Sequence, residues 1–149
     1  MKIMEKVILY TDGGSRGNPG VAGAGVAIVS AAGQILKTAS KPLGHMTNNE
    51  AEYQAVILGL ETLKKLFGKE KIGGLNIEVR LDSELVKKQL SGEYQTKEEH
   101  LWPLFMKIWN KRVADFPHLS FTHIPREDNE LADKMANEAM DESTQQTLI

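Results

Sequence analysis

The first clear signal along the chain is Val7-Ile8-Leu9-Tyr10, a continuous apolar run ending at Thr11-Asp12. A strand buried on both faces reads this way. Residues 13–20, GGSRGNPG, read as a turn-rich loop. Residues 22–30 and 35–43 read as two more strands, joined by a short hairpin turn at residues 31–34. Thr47-Asn48-Asn49-Glu50 then has capping-box spacing, with Thr47 at the cap and Glu50 three residues on. The helix it opens runs to Phe67 and carries Val56, Leu60, Leu63 and Phe67 on one stripe. After Gly73-Gly74 the period becomes two. Leu75, Ile77, Val79 and Leu81 alternate with Asn76, Glu78, Arg80 and Asp82, as in a half-buried strand.

Ser83 caps a short helix to Leu90. Thr96 and Glu99 repeat the capping-box spacing. They precede a helix with Leu101, Leu104, Phe105, Ile108 and Val113 inward and Pro103 in its first turn. Residues 119–124 form a last strand and residues 125–128 a loop. Asp128 or Asn129 caps a final helix with Ala132, Met135, Ala136 and Ala139 inward. The order β-β-β-α-β-α-α-β-α predicts an α/β fold, a mixed sheet with helices on its faces.

Topology brings chemistry into view. If the first strand runs up, its hairpin partners run down and up. The helix from Thr47 then starts at the top, and a right-handed crossover makes the strand at 75–82 parallel to the first. Asp12 and Asp82 end upward strands, and Glu52 lies one turn into a helix that begins at that edge. With the strand at 119–124 also running up, Asp133 joins them. Four carboxylates converge where open α/β sheets place their sites. Each has an ordinary reading alone: a turn-starting Asp12, a helix-dipole acid at Glu52 or Asp133, a cap at Asp82. Glu52 resists its ordinary reading, because it is i−4 from Val56 on the core-facing stripe while Glu50 points elsewhere. A carboxylate there needs a partner or must become neutral.

Composition narrows the chemistry. At 149 residues the chain suits one domain, set at residues 1–142 with a flexible tail at 143–149. Apolar residues make 41% and charged residues 26%, which excludes disordered and fibrous classes. There is no cysteine, so disulfide scaffolds, thiol nucleophiles and Cys-ligated zinc or iron–sulfur sites are out. No apolar run reaches the roughly 18 residues of a membrane span, and the apolar start is too short for a signal peptide. The expected compartment is the cytoplasm. Net charge is −2, split as +3 over residues 1–74 and −5 over residues 75–149, so charge alone neither supports nor excludes a polyanionic substrate. Crowded acids repel unless a cation neutralises them. Oxygen ligands without Cys or a His cluster point to Mg²⁺ or Mn²⁺ and not zinc. Two such ions roughly 3.5–4 Å apart suit phosphodiester hydrolysis. The residue 13–20 loop lacks the Lys-Ser/Thr of a P-loop, and Ala22-Gly23-Ala24-Gly25-Val26 lacks a third Rossmann glycine.

Four segments together resemble type 1 ribonuclease H: Tyr10-Thr11-Asp12-Gly13-Gly14-Ser15 with Gly17-Asn18-Pro19-Gly20; Thr47-Asn48-Asn49-Glu50-Ala51-Glu52; Asp82-Ser83; and Asn129-Glu130-Leu131-Ala132-Asp133. The resemblance runs from about residue 6 to 140. It implies a ribonuclease H-like fold with a five-stranded mixed sheet. It implies an endonuclease that hydrolyses the RNA strand of RNA–DNA hybrids, leaving 5′-phosphate and 3′-hydroxyl ends. Asp12, Glu52, Asp82 and Asp133 would hold two Mg²⁺ ions, with Mn²⁺ as a substitute. Substrate contacts would come from Gly13, Ser15, Asn18, Thr47, Asn48 and Asn49. Asn18 and Asn49 would face the minor groove near 2′-hydroxyls, and Thr47 and Asn48 a DNA-strand phosphate.

Three departures stand out. The family often carries a histidine in the loop before the last helix; here Arg126 takes that place as an auxiliary catalytic candidate, with an electrostatic role only. The basic, Trp-rich helix–loop of some members is missing, because residues 91–103 are short and acidic. Weaker, salt-sensitive binding is expected from this. Glu84 adds a negative charge beside Asp82-Ser83. His45, His100 and His118 read as surface residues, His123 as a strand residue, and Trp102 and Trp109 as helix packing, with base stacking as the alternative for Trp102. A monomer with no obligate protein partner is expected. The competing functional reading is a weak or inactive hybrid-binding module, which would predict a missing carboxylate.

Overall fold

A computed structural model describes residues 4–147. Five strands form one sheet: β1 (Lys6–Gly17), β2 (Gly20–Ser30), β3 (Ile35–Met46), β4 (Asn76–Leu81) and β5 (Leu119–His123). The helices are α1 (Asn48–Phe67), a single turn α2 (Lys69–Ile72), α3 (Glu84–Leu90), α4 (Trp102–Asp115) and α5 (Glu130–Thr147). Strand order is β3-β2-β1-β4-β5. The β1–β2 and β2–β3 pairs are antiparallel, and β4 and β5 join β1 in parallel. This is the ribonuclease H-like arrangement that the motif order implies.

β1 does not stop at Asp12. The GGSRGNPG segment is strand as far as Gly17, and its pairing with β2 runs on to Gly17↔Gly20. Its glycines divide the work: Gly17, at φ +102°, leads into the turn to β2, while Gly13 serves a close approach. A Cβ at Gly13 would lie 2.1 Å from the Ala51 carbonyl oxygen, so only glycine admits the first turn of α1 against β1. Gly25 on β2 does the same for α5: a Cβ there would lie 2.3 Å from the Ala132 oxygen and the Ala136 nitrogen. Gly13 faces α1 while its neighbour Gly14 meets the Met140 side chain of α5, so the two helices cover opposite faces of the sheet.

The main core lies on the α1 face. Leu9, Val26, Ile28, Val56, Leu60, Leu63, Ile77, Val79 and Leu81 are buried there together. The α5 face is thin, built on fully buried Ala132, Ala136 and Ala139. Thr47 and Glu50 close the capping box as expected. Ser83 caps α3 by accepting from the Val86 N–H.

Four expectations need correction. Thr96 caps nothing; its hydroxyl lies 3.4 Å from the Tyr53 hydroxyl, and a 3₁₀ turn at Glu99–Leu101 leads into α4 instead. Val113 points outward and Phe116 takes the inward place. Trp102 and Trp109 are each 48% exposed, so neither is core packing. The expected tail at residues 143–149 is helical as far as Thr147; Ser143 is buried and donates to the Ala22 carbonyl, while residues 148 and 149 lie outside the described ones. Among the described residues, no helix is long and apolar enough to cross a membrane.

Candidate active site

The sheet sets the first two carboxylates. Parallel pairing of β1 and β4 is last seen at Tyr10↔Arg80. Asp12 and Asp82 stand the same distance beyond that pair, on adjacent strands. Asp12 is buried within β1, and Asp82 lies between β4 and the α3 cap at Ser83. Glu52 comes from the first turns of α1, which Gly13 lets approach. It is 8% exposed, as its stripe position predicts. Ligand oxygens of Asp12, Glu52 and Asp82 all lie within 4.8 Å of one another. Asp133, near the start of α5, stands outside this trio but lines the same cleft and adds its negative charge to the field at Asp12. Glu50 is elsewhere, accepting from the Thr47 N–H at 3.2 Å.

The electrostatics are those of a site built for a cation. Burial, then Asp82 and Asp133, push the Asp12 carboxyl up to about 8. Burial, then Asp12 and Asp82, hold Glu52 well above the usual range. A hydrogen bond from the Gly13 N–H and the charge of Arg126 pull Glu52 the other way without prevailing. Glu52 Oε2 is buried with no partner. Among the described residues, no lysine or arginine ion-pairs with any of the three. An all-oxygen, like-charged, partly orphaned donor set fits a hard divalent cation.

These groups line an open cleft of about 530 Å³ with Gly13, Gly14, Ser15, Arg16, Asn48, Arg126, Asn137 and Met140. Arg126 therefore sits in the cleft where counting back from Asp133 put it. Arg16 is held away by Asp141 at 2.7 Å. A polar network joins the β1–β2 tip to α1. The Ser15 N–H and hydroxyl both donate to Asn48 Oδ1 at 3.0 Å, and the Asn48 N–H donates to Asn18 Oδ1 at 3.0 Å. Asn18, Thr47 and Asn49 flank the cleft without lining it. Thr47 is occupied as the α1 cap, and Asn49 donates to Glu98 at 3.3 Å. All four histidines are exposed. Glu84 is drawn into an ion pair with Lys88 at 3.0 Å. Asn129, read from sequence as a cap, is 1% exposed, and its side chain reaches Asp82. Nothing in periodicity separates a capping asparagine from a buried one.

Comparison with known proteins agrees with this geometry. A family described as reverse transcriptase-like matches residues 10–139. The chain is 41% identical to a ribonuclease HI of Halobacterium salinarum over 93% of its own length and 66% of the relative's. It is 37% identical to the bifunctional protein Rv2228c of Mycobacterium tuberculosis over 94% of its own length, but spans only 37% of that protein. The LC11-RNase H1 structure, from a compost metagenome, superimposes with a TM-score of 0.89 at 48% identity, covering 95% of this chain and 99% of that one. A second LC11-RNase H1 structure, in complex with an RNA/DNA hybrid, matches with a TM-score of 0.89 at 46% identity, covering 93% of this chain and 99% of that one. With this fold, this order of motifs and relatives matched over nearly its whole length, the chain belongs to the ribonuclease HI family.

Proposed function

We propose that this chain is a metal-dependent endonuclease that hydrolyses the RNA strand of RNA–DNA hybrids, leaving 5′-phosphate and 3′-hydroxyl ends. The observation that carries the reading is the trio Asp12, Glu52 and Asp82, with the orphaned Glu52 Oε2 inside it. Asp12, Glu52, Asp82 and Asp133 hold two Mg²⁺ ions in this reading, and Mn²⁺ suits the same oxygen ligands. Held by these carboxylates, divalent ions would supply activation of the attacking water and stabilisation of the leaving oxygen. The close approach of α1 that Gly13 permits brings Glu52 to the buried edge of the cluster. Arg126 keeps a permanent positive charge against the negative charge that builds on the phosphate.

Substrate choice rests on the flanking network. With the first-turn amides of α1 largely capped, the Thr47 hydroxyl and the Asn48 side-chain amide are the donors offered to a phosphate of the DNA strand. Asn18 and Asn49 contact the hybrid's minor groove near the RNA 2′-hydroxyls, the group that separates RNA from DNA, and Gly13 and Ser15 add further substrate contacts. LC11-RNase H1, the similar protein seen with an RNA/DNA hybrid, supports this choice of substrate. Between α3 and α4, the described residues hold a 3₁₀ turn and no further helix. With no basic handle there, fewer phosphates are neutralised, so hybrid binding is expected to be weaker than in relatives that carry the handle.

The test is a panel of end-labelled substrates: RNA–DNA hybrid, single-stranded RNA, duplex RNA and duplex DNA, each with Mg²⁺. Cutting confined to the hybrid's RNA strand is expected. Equal cutting of duplex RNA, or hybrid binding without any cutting, would overturn the assignment.

A further inference from the structure

Asn129 lies between the 3₁₀ turn Arg126–Asp128 and α5, and its side chain is almost wholly buried. Its Nδ2 donates to the Thr11 carbonyl at 2.9 Å and to Asp82 Oδ2 at 3.1 Å. Both amide hydrogens are thereby used. The flipped amide would set Oδ1 against two acceptors, so this orientation is the one the surroundings select. The main chain of the same residue is equally engaged. Its N–H donates to the Arg126 carbonyl and its carbonyl accepts from the Asp133 N–H, each at 3.0 Å. One residue thus ties together the neighbour of Asp12, the carboxylate of Asp82, the loop of Arg126 and the first turn that carries Asp133.

We infer that Asn129 is a positioning residue: its amide holds Asp82 in the orientation that meets Asp12 and Glu52, and so raises the affinity of the cluster for a divalent cation. A carboxylate free to rotate would turn away from two like charges. Tethered at one oxygen, it cannot, and its other lone pairs stay directed into the cluster. Groups that orient metal ligands in this way typically contribute about 10–100-fold in metal affinity. The inference rests on the divalent-metal reading of the site.

The test uses the full chain and Mn²⁺ alone as the probe, by calorimetric titration without nucleic acid. Asn129→Leu keeps the branched shape and removes both donors; Asn129→Ala is the second variant. Ile108→Val, a core change in α4 away from the cluster, controls for lowered stability. The expected result is Mn²⁺ binding weakened at least about tenfold in both Asn129 variants. The half-saturating Mg²⁺ for hybrid cleavage should rise by a similar factor, and Ile108→Val should lower Tm but bind Mn²⁺ as wild type does. Wild-type Mn²⁺ affinity in both Asn129 variants would overturn the tether and leave the nuclease reading standing. Loss of affinity in Ile108→Val in step with Tm would reduce the effect to general destabilisation and overturn it too. A wild-type chain that binds no Mn²⁺ and cuts no hybrid would overturn both readings.

Discussion

Arg126 is the residue whose place in the cleft invites the most direct question. Its charge lowers the pKa of both Asp12 and Glu52, yet it pairs with neither. The other arginine of the cleft, Arg16, is engaged by Asp141. Arg126→Ala should therefore cost hybrid cleavage about tenfold in turnover, or ~1.4 kcal/mol of transition-state stabilisation. Arg126→Lys should restore part of it, and steady-state kinetics on one hybrid would measure both. Turnover unchanged in Arg126→Ala would remove the residue from the chemistry. The two arginines also mark where sequence reading ends at this scale. Arg126 was found by counting from Asp133 in a motif, whereas the pairing of Arg16 with α5 depends on a contact 125 residues away in sequence. The tether from Asn129 is hidden for the same reason, because its partners, Thr11 on β1 and Asp82 just past β4, are far away in sequence.

At the scale of the element, the glycines of β1 and β2 separate what was legible from what was not. The capping box at Thr47 and the alternation along β4 are local codes, and both read correctly. Glycine is not a local code: it serves turns and close approaches alike. Gly13 and Gly14 suggested a loop, but they are strand residues, and it is Gly13 and Gly25 that let α1 and α5 touch the sheet. The second capping-box spacing failed because Thr96 turns toward Tyr53, a partner 43 residues earlier. Gly25→Ala should make the point quantitative. Its Cβ would meet backbone atoms of α5, which cannot move aside as a side chain can. A loss of at least about 1–3 kcal/mol is expected from urea unfolding. Cleavage should fall as well, because α5 carries Asp133. Wild-type stability would show that α5 sits further from β2 than described.

For the whole molecule, the carboxylate cluster is a liability that a cation relieves. Asp12 is raised to about 8 and Glu52 is raised too, so the folded chain without metal holds protons that the unfolded chain releases. Metal-free stability from this cluster should then fall as pH rises from about 4 toward about 8. Glu78 works in the opposite sense. Burial disfavours its charge, but Arg80 and Lys6 draw it down to about 2, so its contribution is complete above about 4.5 and lost only in acid. In EDTA, Tm should be lower at about pH 8 than at about pH 5, and added Mg²⁺ should close the gap by binding the folded state. Thermal melts at both pH values check this. A metal-free Tm that rises through this window, with no response to Mg²⁺, would contradict the coupling of the cluster to the fold.

The central claim is that these carboxylates form a metal-dependent hybrid-cleaving centre, and Asp82→Asn tests it most directly. The change removes a charge and almost no volume, so the fold should persist by circular dichroism. One end-labelled RNA–DNA hybrid is incubated with wild type and variant, first in EDTA and then with Mg²⁺ restored. The account predicts RNA-strand cutting by wild type only after Mg²⁺ is restored, and none above background by Asp82→Asn. Cutting in EDTA, or full turnover by the variant, would contradict it.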